Sequence, residues 1–327
     1  MSRLLLLTTA VAALTACAPA QLPPRPWDTP SLLVYSGLGP YQIEVEETLE
    51  LQHSALNKPL NVRVSFPQAE GAYPVVVFSH GAYSSKDMYN PILDHWATHG
   101  FVVLAATHID STALGVERGD PDAGRKWPTR VADLTFLLDN MTEIERQVPK
   151  LAGKPDLQQV AAAGHSLGGL TAMAMAGAST LSPETGERRY LADGRVKAGV
   201  FISPPGRLPT IDAQGFSEVS VPAFYTTATE DIIMLPDTTW EWHKDGFRYA
   251  PPGDKYLLVL NGADHYLGGI VGRDDLKMNP RARDYLSLTN GLTTAFLSSY
   301  LKGQSGALAV LTTAGFVSPS DGELTRK

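Results

Sequence analysis

The sequence predicts an α/β protein built on a mostly parallel, doubly wound sheet of eight strands, with helices on both faces and no large lid. Three observations predict it. Residues 74–79, 101–106, 160–163, 199–203, 223–228 and 256–261 form short, nearly continuous apolar runs, as strands buried on both faces do. Helical patterns over 88–98, 130–141, 167–176 and 282–302 lie between or after them, an alternation that favours a doubly wound sheet. The segment Gly164-His165-Ser166-Leu167-Gly168-Gly169 sits where one such strand meets a helix.

Taken in order, residues 41–50 and 60–66 read as an initial antiparallel pair joined by a turn at 55–59. The run 74–79 follows, and His80-Gly81-Ala82-Tyr83 leaves its end. Gly81 permits close backbone approach, which makes the Ala82 N–H a candidate oxyanion donor. Tyr83 is a candidate substrate-binding residue, and His80 reads as a loop-tethering side chain.

A G-x-S-x-G between a strand and a helix has the context of a nucleophile elbow. Ser166 is the expected nucleophile, and the Leu167 N–H is the second expected oxyanion donor. The remaining members should follow in the order acid, then histidine. Thr229-Glu230-Asp231 ends the strand at 223–228, and Asn261-Gly262-Ala263-Asp264-His265 ends the strand at 256–261. Functional groups gather beyond the carboxyl ends of parallel strands. His265 is the expected base that activates the serine, and Asp231, preferred over Glu230 and Asp264, would orient it. Tyr266 joins Tyr83 as a candidate substrate contact. His53, His95, His99, His108 and His243 are scattered without metal-ligand spacing. No metal and no cofactor is therefore assigned.

Along roughly residues 35–302 these pieces resemble an α/β-hydrolase of the platelet-activating-factor acetylhydrolase-like and predicted dienelactone hydrolase group. The matching segments include Tyr73-Pro74-Val75-Val76-Val77-Phe78-Ser79-His80-Gly81, His108-Ile109-Asp110-Ser111, Arg130-Val131-Ala132-Asp133, the elbow, and the Asp231 and His265 loops. The spacing from Pro222 to Asp231 and the Ser79-x-Gly81 turn are also similar to bacterial cutinases and polyester hydrolases. The resemblance implies the α/β-hydrolase fold. Dienelactone hydrolases use a cysteine nucleophile, where this chain has Ser166.

At the N-terminus, Arg3 precedes an apolar run too short to span a bilayer, and Leu14-Thr15-Ala16-Cys17 resembles a bacterial lipoprotein processing site. Residues 1–16 are expected to be a signal peptide, and 17–34 a lipidated Cys17 with a tether rich in proline (Pro19, Pro23, Pro24, Pro26, Pro30). Residues 35–302 are the expected catalytic domain, and 303–327 a C-terminal tail. This organisation implies export to a bacterial cell envelope as a lipoprotein, or secretion if the anchor is lost. A net charge of −7 with no basic run argues against nucleic acid. It also leaves membrane attachment to the lipid.

The functional expectation is a serine carboxylic-ester hydrolase working through an acyl-enzyme, on small-molecule, lipid or polymer esters. Short-chain or lipid-like esters lead, a polyester hydrolase is the alternative, and a non-catalytic envelope lipoprotein retaining the fold is the rival. Tyr83, Trp127, Trp240, Trp242 and Tyr266 are the aromatics able to line an open cleft if exposed, although each taken alone reads first as a packing residue.

Overall fold

The computed structural model describes residues 31–120, 127–182, 184–233, 238–313 and 317–327. The expected signal peptide, Cys17 and most of the tether lie outside the described residues. The strands are β1 (Ile43–His53), β2 (Lys58–Pro67), β3 (Tyr73–Ser79), β4 (Val102–Thr107), β5 (Pro155–His165), the short β6 (Thr180–Leu181) and β7 (Arg188–Arg189), β8 (Val196–Ile202), β9 (Ala223–Glu230), β10 (Lys255–Asp264) and β11 (Gly322–Arg326). The α-helices are α1 (Leu32–Ser36), α2 (Asn90–Thr98), α3 (Pro128–Asp139), α4 (Met141–Gln147), α5 (Leu167–Met175), α6 (Ala213–Ser217), α7 (Asp245–Tyr249), α8 (Ala282–Lys302) and α9 (Ser305–Thr312).

The main sheet has nine strands in the order β1-β2-β4-β3-β5-β8-β9-β10-β11, and β6 and β7 form a separate ribbon. From β4 to β10 every neighbouring pair is parallel, while β1, β2 and β11 join by antiparallel pairing. The expected eight-stranded sheet therefore gains one strand, and it comes from the segment read as a tail. Residues 303–327 supply α9 and then β11, which pairs with β10 from Tyr256↔Arg326 to Leu260↔Gly322. The sequence signal was weak because β11 is short and polar, with Glu323, Thr325 and Arg326 exposed or half-buried, as edge strands commonly are.

Alternate residues of each central strand feed opposite cores, as a two-residue period requires. Val75 and Val77 join Leu134, Leu137 and Met173, from α3 and α5, on one face. Val76 and Phe78 join Ile92, Trp96 and Phe296, from α2 and α8, on the other. All of these side chains are fully buried, and burying each one stabilises the fold by roughly 1.5–3 kcal/mol. No helix among the described residues is long and apolar enough to cross a membrane.

The topology places the functional loops. After β3 the chain moves outward to β4 and then returns to the opposite side of β3 as β5. That reversal makes the carboxyl ends of β3 and β5 a topological switch point, where a crevice opens. The His80 loop and Ser166 leave the sheet there.

Candidate active site

Ser166 stands between β5 and α5 with φ +53° and ψ −124°, a conformation that a residue with a side chain adopts only when its surroundings impose it. The surroundings are two glycines. A Cβ on Gly164 would lie 2.2 Å from the Gly168 carbonyl oxygen, and one on Gly168 would lie 2.0 Å from the Ser79 carbonyl oxygen. The elbow is thus packed backbone to backbone on the end of β3. The Ser166 N–H donates to the Ile202 carbonyl at 2.9 Å, tying the turn to β8. Leu167 opens α5, so its N–H has no intrahelical acceptor.

Asp231 follows β9 and is fully buried, and His265 follows β10 with 5% exposure. His265 Nδ1 lies 2.6 Å from Asp231 Oδ1, and Thr227 Oγ1 donates to Asp231 Oδ2 at 2.8 Å. Burial alone would raise the Asp231 pKa, but the hydrogen bond and charge of His265 outweigh it and hold the carboxyl down at about 2. An ionised carboxylate only accepts, so Nδ1 of His265 carries the proton and the Nε2 lone pair stays free. The competing acids are placed elsewhere. Glu230 is exposed, and Asp264 Oδ1 accepts the N–H groups of Tyr266 and Gly268 at 2.9 and 2.7 Å, shaping the His265 loop.

His243, left unassigned from the sequence, also meets Asp231. Its Nδ1 lies 2.8 Å from the Pro204 carbonyl and its Nε2 3.2 Å from Asp231 Oδ1. Donor atoms of Asp231, His243 and His265 lie within 4.8 Å of one another, a grouping of metal-ligating types. The 2.6 Å contact inside it is a hydrogen-bond length. Two ligands at about 2.1 Å from one tetrahedral zinc would stand more than 3 Å apart, so this arrangement fits a proton and not an ion. The spacing of His243 from Asp231 carries no recognisable motif, and only the fold brings the two together.

Two further residues, Tyr89 and His165, escaped the sequence reading. The Gly81 N–H donates to Tyr89 Oη at 3.0 Å, Tyr89 Oη lies 2.9 Å from His165 Nδ1, and His165 Nε2 lies 2.7 Å from the His265 carbonyl. Only one assignment of protons satisfies all three contacts: Tyr89 donates to Nδ1, and Nε2–H donates to the carbonyl. The elbow histidine thereby links the loop after β3 to the loop that carries His265. Complete burial holds the His165 pKa down at about 3, so the ring is neutral.

Ser166, Leu167, Ala82 and His265 line one cleft of about 290 Å³, together with both tyrosines named from the sequence, Tyr83 and Tyr266. Leu208, Ile233 and Trp242 add apolar wall. Among the aromatics able to line a cleft, Trp127 is a packing residue instead. It is buried under α5, where its Nε1–H donates to Thr171 at 3.1 Å. Trp240 is half-buried with Lys244 Nζ 4.4 Å from its ring centroid, and it does not line this cleft. Trp127 packs against α5, and a tryptophan's identity gives no sign of that.

Residues 34–182 match the family model described as Chlorophyllase. The chain is 29% identical to Chlorophyllase-1 of Arabidopsis thaliana, with 89% of this chain and 91% of that protein covered. It is 24% identical to platelet-activating factor acetylhydrolases of Cavia porcellus and Canis lupus familiaris, in each case over 70% of this chain. It spans only 58% and 57% of those two relatives' lengths.

Proposed function

We propose that the chain is a serine ester hydrolase of the α/β-hydrolase superfamily and that it cleaves short-chain or lipid-like carboxylic esters through Ser166, His265 and Asp231. The observation that carries this reading is the His265–Asp231 contact at 2.6 Å beside a strained Ser166 in one cleft. With Nδ1–H committed to a buried carboxylate, Nε2 is the ring's free base.

In this reading Ser166 Oγ attacks the ester carbonyl and passes its proton to His265 Nε2. The N–H groups of Ala82 and Leu167 receive the negative charge that develops on the carbonyl oxygen. The C–O bond breaks, the alcohol leaves with the proton from His265, and the acyl group stays on Ser166. Water then attacks the acyl-enzyme, giving a proton to His265, which returns it to Ser166 Oγ as the C–Oγ bond breaks and the acid departs. Asp231 keeps the imidazole in the productive tautomer and offsets its transient charge.

The lipid-like preference is supported by the apolar wall of Leu208, Ile233 and Trp242 and by likeness to acetylhydrolases and chlorophyllases. The purified protein should hydrolyse p-nitrophenyl acetate, butyrate, octanoate and palmitate with a definite chain-length optimum. Ser166→Ala should abolish turnover of all four. Equal rates in wild type and variant would remove the serine mechanism. Export and anchoring through Cys17 belong to the same proposal on the motif that ends at Cys17. Cys17→Ser should abolish incorporation of labelled palmitate in a bacterial host, and retained labelling would refute the anchor.

A further inference from the structure

Behind the loop after β3 lies a buried polar network that none of these steps uses. Arg130 on α3 is fully buried, and its Nε and Nη2 bind the Asp110 carboxylate at 3.0 and 2.6 Å. The same guanidinium donates from Nη1 to the His80 carbonyl at 2.5 Å and from Nη2 to the Gly81 carbonyl at 3.2 Å. His80 Nδ1 also reaches the Gly81 carbonyl, at 2.7 Å, while its Nε2 accepts the His108 N–H at 2.9 Å. A carbonyl only accepts and a backbone N–H only donates, so the His80 proton is on Nδ1. The Ser84 N–H adds a third side to the same oxygen at 3.3 Å.

The rest of the network holds these groups still. His108 lies 2.9 Å from Asp133 through Nδ1 and 2.9 Å from Ser79 Oγ through Nε2, and Lys58 donates to Asp133 at 2.8 Å. Burial keeps His80 and His108 neutral, well below the usual histidine pKa, and the neighbouring Arg130 charge adds to that. The network thus has one defined arrangement of protons, which a fully buried polar cluster needs if it is to be rigid.

The Gly81 carbonyl and the Ala82 N–H belong to one peptide plane. Among the described residues no peptide is cis, and in a trans peptide the C=O and N–H point in opposite directions. Donors that hold the Gly81 oxygen toward the interior therefore turn the Ala82 N–H outward, to the side of the cleft. Ser166 is adjacent: a Cβ built on Gly81 would lie 3.5 Å from the Cβ of Ser166. A cation bonded to the carbonyl also polarises the whole amide and makes its N–H a stronger donor.

We propose that Arg130 and His80 are positioning residues that aim and polarise the Ala82 N–H as an oxyanion donor, an inference that rests on the esterase reading of Ser166. Neither side chain touches substrate in this account. They act through the Gly81–Ala82 peptide. The His108-x-Asp110 and Arg130-x-x-Asp133 segments, which carried part of the family resemblance, find their purpose in the same network.

The test compares Arg130→Lys, His80→Gln and His80→Asn with wild type. Active sites are counted with a fluorophosphonate that labels Ser166, so that turnover refers to folded enzyme alone. Phenylboronic acid serves as the probe of the oxyanion site, because its tetrahedral serine adduct places an oxygen there. Arg130→Lys and His80→Gln should lower per-site kcat about 10- to 100-fold, with KM changed by less than about threefold and the boronate Ki raised in parallel with the loss in kcat. His80→Asn keeps an N–H in the place of Nδ1–H and should retain most of the turnover. Unchanged per-site kcat and boronate affinity in the His80→Gln enzyme would overturn the proposal, as would His80→Asn failing as fully as His80→Gln. The His80 pair decides the matter if Arg130→Lys does not fold. Wild-type protein that is folded and yet not labelled would overturn the esterase reading itself.

Discussion

His243 holds its Nε2 3.2 Å from Oδ1 of Asp231, the oxygen to which His265 donates at 2.6 Å. Since Nδ1 of His243 donates to Pro204, the neutral ring turns a lone pair toward the carboxylate. Burial lowers the His243 pKa despite the opposing charge of Asp231, so the ring is neutral at ordinary pH and leaves Oδ1 to His265. A permanent donor in its place should weaken that pair. His243→Gln is expected to lower kcat/KM at pH 8 by roughly 3- to 10-fold, mainly in kcat. A pH–rate profile from pH 5 to 9 matching wild type would show that the second imidazole has no influence on the carboxylate.

The acid assignment makes a ranking. Asp231→Asn reverses the hydrogen-bond polarity at His265 Nδ1 and stabilises the wrong tautomer, so turnover should fall by about 10⁴-fold. Glu230→Gln alters an exposed side chain and should leave turnover within about twofold. Steady-state kinetics on p-nitrophenyl butyrate measure both, and the opposite order would transfer the role to Glu230.

Much of this site was legible in the sequence because it lies at ends of strands whose apolar runs announce them. Ser166, Asp231 and His265 each follow such a run, and chain order alone sets them in a sensible sequence. Asp231 over Asp264 was a geometric preference, and the structure adds a reason: the Asp264 carboxylate is taken by its own loop. His243, Tyr89 and His165 were illegible for a different reason. Tyr89 and His165 are partners 76 residues apart, His243 reaches Asp231 only in the folded chain, and no local periodicity encodes such contacts. The ninth strand was hidden because polar residues occupy an edge, where burial leaves no pattern.

The elbow glycines give a steric prediction. An added methyl at Gly164 or Gly168 would meet a carbonyl oxygen at 2.2 or 2.0 Å, and backbone on both sides leaves little room to yield. Gly164→Ala and Gly168→Ala should each destabilise the protein by about 2–4 kcal/mol or prevent folding. They should also remove fluorophosphonate labelling in whatever soluble protein remains. Either variant with a wild-type melting temperature would contradict the close approach of the elbow to β3.

The buried imidazoles predict an acid-sensitive fold. Burial lowers the pKa of His99 to about 4 and that of His165 to about 3. The unfolded chain then takes up these protons near pH 6.5, before the folded protein does. Their contribution is present above pH 6.5 and is lost as pH falls toward the folded values, at about 1.4 kcal/mol per pH unit for each histidine. His99→Gln retains a donor for the Gly37 carbonyl, which His99 Nε2 approaches at 2.9 Å. It should flatten the urea-derived stability slope between pH 6 and 4.5 by about one proton's worth. An unaltered slope would mean that the His99 ring protonates in the folded protein.

β11 has a bearing on how the chain reaches this state during synthesis. Until residues 322–326 emerge, β10 is an open, apolar margin, with Tyr256, Leu257, Leu258 and Leu260 in a row and one side of its backbone unsatisfied. Such a margin recruits strands from other molecules. Residues 322–326 close it with a polar seam, and Lys327 is stitched in as well, since Lys327 and Lys255 exchange backbone hydrogen bonds at 3.0 and 3.1 Å. The strand that presents His265 is therefore sheltered only once residues 322–327 are in place. A nascent or truncated form ending before Gly322 carries a template for self-association that β11 covers once it has paired.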